Sequence, residues 1–138
     1  MRITSKKKTK RERDDDTDEK KLRRRRGRAV RAKGHTFERE CAVIFREFYP
    51  EARRLLENHR DDARGVDLLH TGRLRIQCKR KKDYVGVSRI TEIQCDELIA
   101  GEIPVLVTSG DGKRPMVVMS LSDFRAFLRD LQAAGTLP

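Results

Sequence analysis

The segment that decides the fold is VDLLHTGRLRIQCK, residues 66–79. From residue 73 to residue 79 it alternates strictly, with apolar side chains at even positions and charged or amide side chains at odd positions. Residues 66–70 form a second short apolar run, and the Thr71-Gly72 pair between the two runs is typical of a turn. The segment therefore predicts two neighbouring antiparallel strands.

The pairing of these two strands follows from their apolar faces. A two-residue turn would place Leu68 opposite Arg75 and mix an apolar face with a polar one. A three-residue loop at residues 71–73 places Leu68 opposite Ile76 instead, and Gly72 can supply the positive φ that such a loop needs. We therefore expect the three-residue loop.

The same register gathers polar side chains on the other face of the strands. Asp67 lies opposite Gln77, with Lys79 diagonally adjacent. On the preceding predicted helix, at about 100° per residue, Glu38 lies about 20° beyond Phe45, at the edge of the apolar stripe. Carboxylate and amide oxygens suit Mg²⁺ or Mn²⁺, and a lysine can stabilise charge on phosphoryl oxygens. The pattern predicts the chemistry of phosphodiester hydrolysis.

The remaining segments complete an α/β pattern. Residues 52–58 fit either a strand or a helix, and we favour a strand. The predicted elements are a helix at 36–48 capped by Thr36, strands at 52–58, 66–70 and 73–79, a helix at 88–100, strands at 103–108 and 116–119, and a helix from Ser120 to Gly135. This order predicts a mixed sheet of about five strands flanked by helices.

Apolar stripes on the first and last predicted helices are expected to face the core. The first stripe consists of Phe37, Cys41, Ile44, Phe45 and Phe48. The last stripe consists of Leu121, Phe124, Phe127, Leu128 and Leu131. We read the second stripe as ordinary core packing and not as a binding site for a cofactor.

The net charge of +11 is concentrated at the N-terminus. Residues 1–34 carry 16 Lys/Arg and 6 Asp/Glu, whereas residues 35–138 carry 17 and 16. The first segment has too few apolar residues to offset the entropy of ordering. We therefore expect a disordered basic arm over residues 1–33 and one domain over residues 34–138. Such an arm attracts nucleic-acid phosphates without reading sequence, because binding releases condensed counterions.

Several protein classes are excluded by what the sequence lacks. No apolar run approaches the roughly 18–20 residues of a membrane span, and no apolar segment of a secretory signal follows the N-terminal charges. Three cysteines without CxxC spacing argue against a disulfide scaffold or a zinc knuckle. The expectation is a reduced, cytoplasmic protein of a bacterial, archaeal or phage-infected cell.

The polar face resembles the PD-(D/E)xK nuclease superfamily. An acidic residue followed by (Asp/Glu/Gln)-x-Lys on an adjacent strand is matched by Asp67 and by residues 77–79. The closer likeness is to archaeal-type Holliday-junction resolvases and their phage-encoded relatives, over about residues 33–128. The matching motifs are Lys33-Gly34, Phe37-Glu38-Arg39-Glu40, Val66-Asp67-Leu68, Ile76-Gln77-Cys78-Lys79 and Ile103-Pro104-Val105.

This resemblance implies a restriction-endonuclease-like fold and a Mg²⁺- or Mn²⁺-dependent endonuclease. The substrate would be a four-way DNA junction in recombination or repair, cut by a homodimer. The implied metal ligands are Glu38, Asp67, Gln77 and the backbone carbonyl of Cys78, with Lys79 assisting the nucleophile. From their charge, the expected phosphate contacts are Arg75, Arg80, Lys81, Lys82 and Arg89.

Other functions stay open at this stage. A nicking, repair or restriction-type nuclease of the same superfamily would differ in its cutting rates on junction, flap and linear duplex. A non-catalytic DNA-binding module with a decayed site is a second class, because Gln77 stands where the family usually has an acid. A basic-armed RNA-binding protein is a third. Heat of Mn²⁺ binding that Asp67→Ala abolishes would favour an enzyme over a binding module.

Overall fold

The computed structural model describes residues 10–56, 66–86 and 101–137. Within these ranges the chain forms helices and strands together, so the fold class is α/β, as predicted. The elements are α1 (Lys10–Phe45), β1 (Arg53–Arg54), β2 (Leu68–Leu69), β3 (Leu74–Arg80), β4 (Ile103–Ser109), β5 (Met116–Val118) and α2 (Leu121–Ala133). The predicted helix at residues 88–100 lies outside the described residues. No described helix combines the length and the apolar character needed to cross a membrane.

The chain divides into two units between Lys33 and Gly34. In the N-terminal unit, residues 10–33 are helical, which corrects the expectation of a disordered arm over this range. The cause is local, because Lys, Arg and Glu have high helix propensity. Opposite charges one turn apart also pair, as in the Lys21 ammonium, which lies 3.3 Å from the Asp18 carboxylate. Residues 17–32 are all exposed. The composition argument rules out a packed core but does not rule out an exposed helix.

In the second unit, the last turns of α1 pack on the sheets. The helix does not begin at Thr36, as predicted, but runs through it. Its buried face consists of Phe37, Cys41 and Ala42, with Phe45 partly buried. Ile44 and Phe48 are exposed, at 51% and 72%, and the stripe prediction is wrong for both. Ile44 lies beyond one edge of the buried face, and Phe48 lies in the turn after the helix.

Two small sheets stand where one sheet of about five strands was predicted. β1 pairs with β2 in antiparallel orientation. β4 lies between β3, to which it is parallel, and β5, to which it is antiparallel. β4 is buried along its whole length, as expected of a central strand covered on both faces. The core joins α1 to these strands through Leu68, Ile76, Cys78, Ile103, Val105 and Val107.

The predicted hairpin ladder between β2 and β3 is absent from the described sheets, because β2 pairs with β1 instead. The two segments are still joined, since the Asp67 N–H donates to the Ile76 carbonyl at 2.9 Å. Two residues further along β3, the Cys78 N–H donates to the Asp67 carboxylate at 2.7 Å. A side-chain oxygen thus occupies the place of a ladder carbonyl, which ends the regular pairing.

The turn between β2 and β3 contains the glycine that the sequence requires. Gly72 has a φ of +59°, as the predicted loop needs. The Leu74 N–H donates to the Thr71 carbonyl at 3.1 Å, which closes the turn. A Cβ atom on Gly72 would lie 2.8 Å from Cε1 of Tyr49. This position therefore requires glycine both for its φ and for the close approach of an aromatic ring.

α2 begins and ends as predicted but is not a core helix. Ser120 caps it by accepting the Asp123 N–H at 3.0 Å, and Gly135 follows its end with a φ of +73°. None of its residues is buried, which corrects the prediction that its stripe packs in the core. The exposed members are Leu121, Phe124 and Phe127. Periodicity predicts which side of a helix is apolar, whereas burial depends on what lies opposite.

Candidate metal centre

Asp67 precedes β2 and is attached to β3 at two points. Its N–H donates a hydrogen bond to the Ile76 carbonyl, and its Oδ2 accepts one from the Cys78 N–H, as described above. Lys79 Nζ lies 3.8 Å from the same Oδ2 atom. Both side chains keep some solvent access, at 22% for Asp67 and 32% for Lys79. The structure therefore brings together the acid and the lysine of the predicted polar face.

Glu38 lies on the packed side of α1, directly after the buried Phe37. Its Oε2 accepts a hydrogen bond from Nε of Arg54 at 2.5 Å, and both side chains are about five-sixths buried. The neighbouring acid Glu40 is half exposed and pairs with Arg80 at 3.3 Å. Of the two acids in this turn, Glu38 is the one that the fold directs inward.

The pKa of Asp67 connects these groups electrostatically. Burial raises this pKa above its ordinary value of 3.8. The Lys79 ammonium and the Cys78 N–H lower it, the Glu38 carboxylate raises it, and the Arg54 guanidinium lowers it. The Glu38–Arg54 pair and the Asp67–Lys79 pair therefore influence each other electrostatically, and we call these four residues the acid–base quartet. Its two carboxylates and two cations balance in charge.

Gln77 lies on β3 between Ile76 and Cys78, two residues before Lys79. Its Oε1 atom is buried and has no hydrogen-bond partner among the residues that the structure describes. A buried amide oxygen without a partner costs about 1–3 kcal/mol, so the protein gains by supplying one. A cation held between this oxygen and the carboxylates would be such a partner.

The donor set fits a hard divalent cation better than a soft one. Glu38, Asp67 and Gln77 offer oxygen only, which suits Mg²⁺ or Mn²⁺. In the described ranges, no three His, Cys, Asp or Glu side chains form a group that could hold a metal ion. The candidate centre therefore depends on the amide oxygen of Gln77 as well as on its two acids.

The thiol of Cys78 belongs to the core and not to the centre. It is 5% exposed and packs in the same core cluster as Cys41 of α1. The interaction with the Cys41 thiol, together with burial, raises the pKa of Cys78 far above its ordinary value. The thiol stays neutral and unreactive, as its predicted apolar position implies. The backbone carbonyl of Cys78 as a metal ligand stays a prediction.

The four expected phosphate contacts that the structure describes fall into three groups by exposure. Arg75 is 7% exposed and lies 3.8 Å from Glu102, so its buried position corrects the expectation of a surface contact. Arg80 is half-buried, with its guanidinium 5.8 Å from the centre of the Phe37 ring. Two of the contacts, Lys81 and Lys82, are exposed. The fifth, Arg89, lies outside the described residues.

Arg54 is the member of the quartet that the sequence did not reveal. It belongs to residues 52–58, which fit either a strand or a helix and for which a strand was favoured, and neither pattern pairs it with Glu38. The structure places it in β1, opposite Leu68 of β2 and one residue from Asp67. In β1 its guanidinium lies against the Glu38 carboxylate.

The motif resemblance has no counterpart in whole-chain comparisons. No family model, no characterised protein and no solved structure matches the chain. The arrangement of Glu38, Arg54, Asp67, Gln77 and Lys79 is therefore the basis on which a function is proposed.

Proposed function

We propose that the protein is a metal-dependent DNA endonuclease that hydrolyses phosphodiester bonds and resolves four-way junctions. The observation that carries the proposal is the ion pair of Asp67 with Lys79, which is electrostatically coupled to Glu38. The strand that carries Lys79 also carries Gln77, whose buried Oε1 atom has no hydrogen-bond partner among the described residues. Acids, an amide oxygen and an amine are the groups that metal-assisted phosphoryl chemistry uses.

Glu38, Asp67 and Gln77 would hold the divalent cation. When bound, the ion would polarise a phosphoryl oxygen and lower the pKa of a water molecule. The anchoring of Asp67 to β3 fixes its carboxylate before any ligand arrives, so little reorganisation is required. Arg54 keeps Glu38 directed toward the cluster in the same way.

Lys79 supplies the amine of the reaction. Its ammonium lies beside Asp67 and keeps 32% solvent access, so it can also reach a phosphate that enters from solvent. There it would donate hydrogen bonds to non-bridging oxygens, whose negative charge grows in the transition state. Lys81 and Lys82, which follow β3, would hold the flanking phosphates.

A four-way junction as substrate and a homodimer as the active form follow from the motif resemblance. Two symmetric cuts across a junction need two sites related by a two-fold axis, which a dimer provides. Sedimentation of the protein alone and with a junction measures this directly. If the protein binds the junction as a monomer, one bound molecule cannot make both of the symmetric cuts.

The proposal is tested by cleavage of a labelled four-way junction, a flap and a linear duplex with Mg²⁺. We expect the junction to be cut fastest, and Asp67→Ala and Lys79→Ala to cut much more slowly. Glu47→Gln, an exposed change in the turn after α1, is the control for loss of a surface acid. If both site variants cut as well as the parent, the site is wrongly assigned.

A second candidate function is a DNA-binding module without catalysis. The charge balance of the quartet favours it, because Arg54 already neutralises Glu38 and Gln77 brings no charge. Calorimetry with Mn²⁺ separates the two functions. Heat that Asp67→Ala abolishes supports the nuclease, whereas binding of DNA without any metal-dependent heat supports the binding module.

A further inference from the structure

Two loops meet at the carboxyl ends of β3 and β4. The strands are parallel and end in register, with Arg80 beside Ser109, so the loops that follow begin side by side. We call residues 81–85 and 110–114 the paired-loop surface. It follows the strand that carries Lys79 and lies outside the quartet.

Hydrogen bonds fasten the two loops to each other and to the end of β4. The Lys81 N–H donates to the Ser109 carbonyl at 3.2 Å, and the Asp111 N–H donates to the Lys82 carbonyl at 3.1 Å. The Val85 N–H donates to the hydroxyl of Thr108 at 2.9 Å. The loops therefore keep a fixed relation to each other, unlike two independent surface loops.

Side chains add a second connection between the loops. The Lys113 ammonium pairs with the Asp83 carboxylate and lies 5.2 Å from the centre of the Tyr84 ring. The Tyr84 hydroxyl donates to the Arg114 carbonyl at 2.9 Å. The ion pair lowers the pKa of Asp83 and raises that of Lys113, so both stay charged at neutral pH. These contacts fix the backbone from which the Arg114 side chain projects.

The surface that results is cationic. Asp83 is neutralised by Lys113, and Asp111 is a second exposed acid in the surface, so four Lys/Arg stand against two Asp. The side chains of Lys81, Lys82 and Arg114 are exposed and pair with no carboxylate in the described part of the chain. Three cations on a fixed backbone suit a ligand whose charges are regularly spaced, such as the phosphates of a nucleic-acid strand.

We propose that the paired-loop surface is a phosphate-binding site for nucleic acid, with Arg114 as a contact from the second loop and the Asp83–Lys113 pair as its support. The inference rests on the proposed function, since it takes DNA as the ligand. It adds a binding element from a part of the chain, residues 110–114, that the sequence motifs do not include. An acidic membrane surface is the competing ligand and is one outcome of the test.

The test measures DNA binding in EDTA, without cleavage, across a salt series. The probe is a fluorescent four-way junction, with a linear duplex and anionic phospholipid vesicles in parallel. Arg114→Ala and Lys82→Ala are each expected to reduce the slope of log affinity against log salt by about 0.9, the value for one phosphate contact. Arg125→Ala, an equal loss of charge on exposed α2, is expected to leave the slope nearly unchanged.

Asp83→Asn separates support of the loop from simple charge. Removing a negative charge strengthens DNA binding if charge alone matters. We expect it to weaken binding instead, because Lys113 loses its partner and the second loop loosens. In a double-mutant cycle, Asp83→Asn with Lys113→Met should be no weaker than the worse single variant.

Each outcome supports or overturns the inference. Equal slopes for Arg114→Ala, Lys82→Ala and Arg125→Ala overturn it, and so does a loss confined to vesicles. If those slopes are equal while Asp67→Ala still stops cleavage, the inference fails and the nuclease stands. If the slopes fall as expected but the parent never cuts, the nuclease fails and the phosphate site stands.

Discussion

The two carboxylates of the quartet are held in different ways. Glu38 depends on one side chain, the guanidinium of Arg54 at 2.5 Å, in a nearly closed environment. Asp67 takes a backbone N–H at 2.7 Å and has Lys79 at the longer distance of 3.8 Å, in a more open one. A carboxylate satisfied by the backbone can gain or lose a mobile partner, whereas one satisfied by a buried arginine cannot do so without a cost. Asp67 is thus the acid better placed to exchange its partner for a ligand.

The largest expected effect is on cleavage by Asp67→Asn. The asparagine oxygen can still accept the Cys78 N–H, so the fold is retained while the charged ligand is lost. We expect the single-turnover rate at saturating DNA to fall by about 10²–10³-fold. An unchanged melting temperature with an unchanged rate would mean that Asp67 is only a structural substitute for a ladder carbonyl.

The next effect is on stability and compares the two cations. Arg54→Met leaves the Glu38 carboxylate buried without its partner, and we expect a loss of about 1–3 kcal/mol in the free energy of unfolding. Lys79→Met leaves Asp67 with the Cys78 N–H, so we expect less than about 1 kcal/mol. Arg53→Met, at the exposed neighbouring position of β1, is the matched control.

Urea titration measures all three of these variants. Equal losses of unfolding free energy in Arg54→Met and Lys79→Met would contradict the proposal that the two carboxylates are held in different ways. A loss for Arg53→Met as large as that for Arg54→Met would assign the effect to β1 packing and not to the ion pair.

Substitutions of Gln77 are expected to have effects of intermediate size, on metal affinity and on melting temperature. Gln77→Glu adds a charged ligand, and we expect Mg²⁺ to bind about tenfold more tightly by calorimetry. In EDTA the same variant should melt at a lower temperature, because three carboxylates then share one buried region. Gln77→Met keeps the side-chain length without the oxygen, and should melt higher in EDTA while binding Mg²⁺ more weakly. Parallel changes in the two variants would show that Gln77 Oε1 does not face a cation.

The smallest effect is on the titration of Asp67 in the metal-free protein. Because Lys79 lowers the pKa of Asp67 and Glu38 raises it, Lys79→Met should raise this pKa and Glu38→Gln should lower it. Metal binding needs the ionised acid, so the acidic limb of Mg²⁺ binding moves to higher pH in Lys79→Met. Carbon NMR of the carboxyl group measures the shift, with Glu40→Gln as the control on α1. Shifts in the same direction would contradict the quartet.

Linkage gives the sign of the accompanying change in stability. The folded-state pKa of Asp67 lies above its ordinary value of 3.8, so the folded protein binds this proton more tightly than the unfolded chain. The stability from that proton is fully present below pH 3.8 and is lost as the pH rises through the folded-state pKa. Lys79→Met should enlarge the loss.

Strict alternation made β3 predictable. The meeting of Asp67 and Lys79 was predicted from a hairpin register that the described sheets lack, and it occurs instead where Asp67 hydrogen-bonds to Ile76 and Cys78. The placement of Glu38 beside the buried face was predictable from helical spacing, because Phe37 anchors that face. Arg54 was not predictable, since its role depends on a two-residue strand pairing that has no periodic signal. The pairing of β2 was missed because Asp67 uses its side chain as a ladder acceptor, which no alternation rule includes. Helical residues 10–33 were missed because composition describes packing and not local propensity.

The contact between Gly72 and the Tyr49 ring has a mechanical consequence. Tyr49 follows the helix that carries Glu38, and Gly72 lies in the turn between the segments that carry Asp67 and Lys79. A Cβ atom on Gly72 would lie 2.8 Å from Cε1 of Tyr49, so Tyr49 and the turn must move apart if a side chain is added. We therefore expect Gly72→Ala to change the separation between Glu38 and Asp67 while leaving both acids, and every ligand atom, chemically intact.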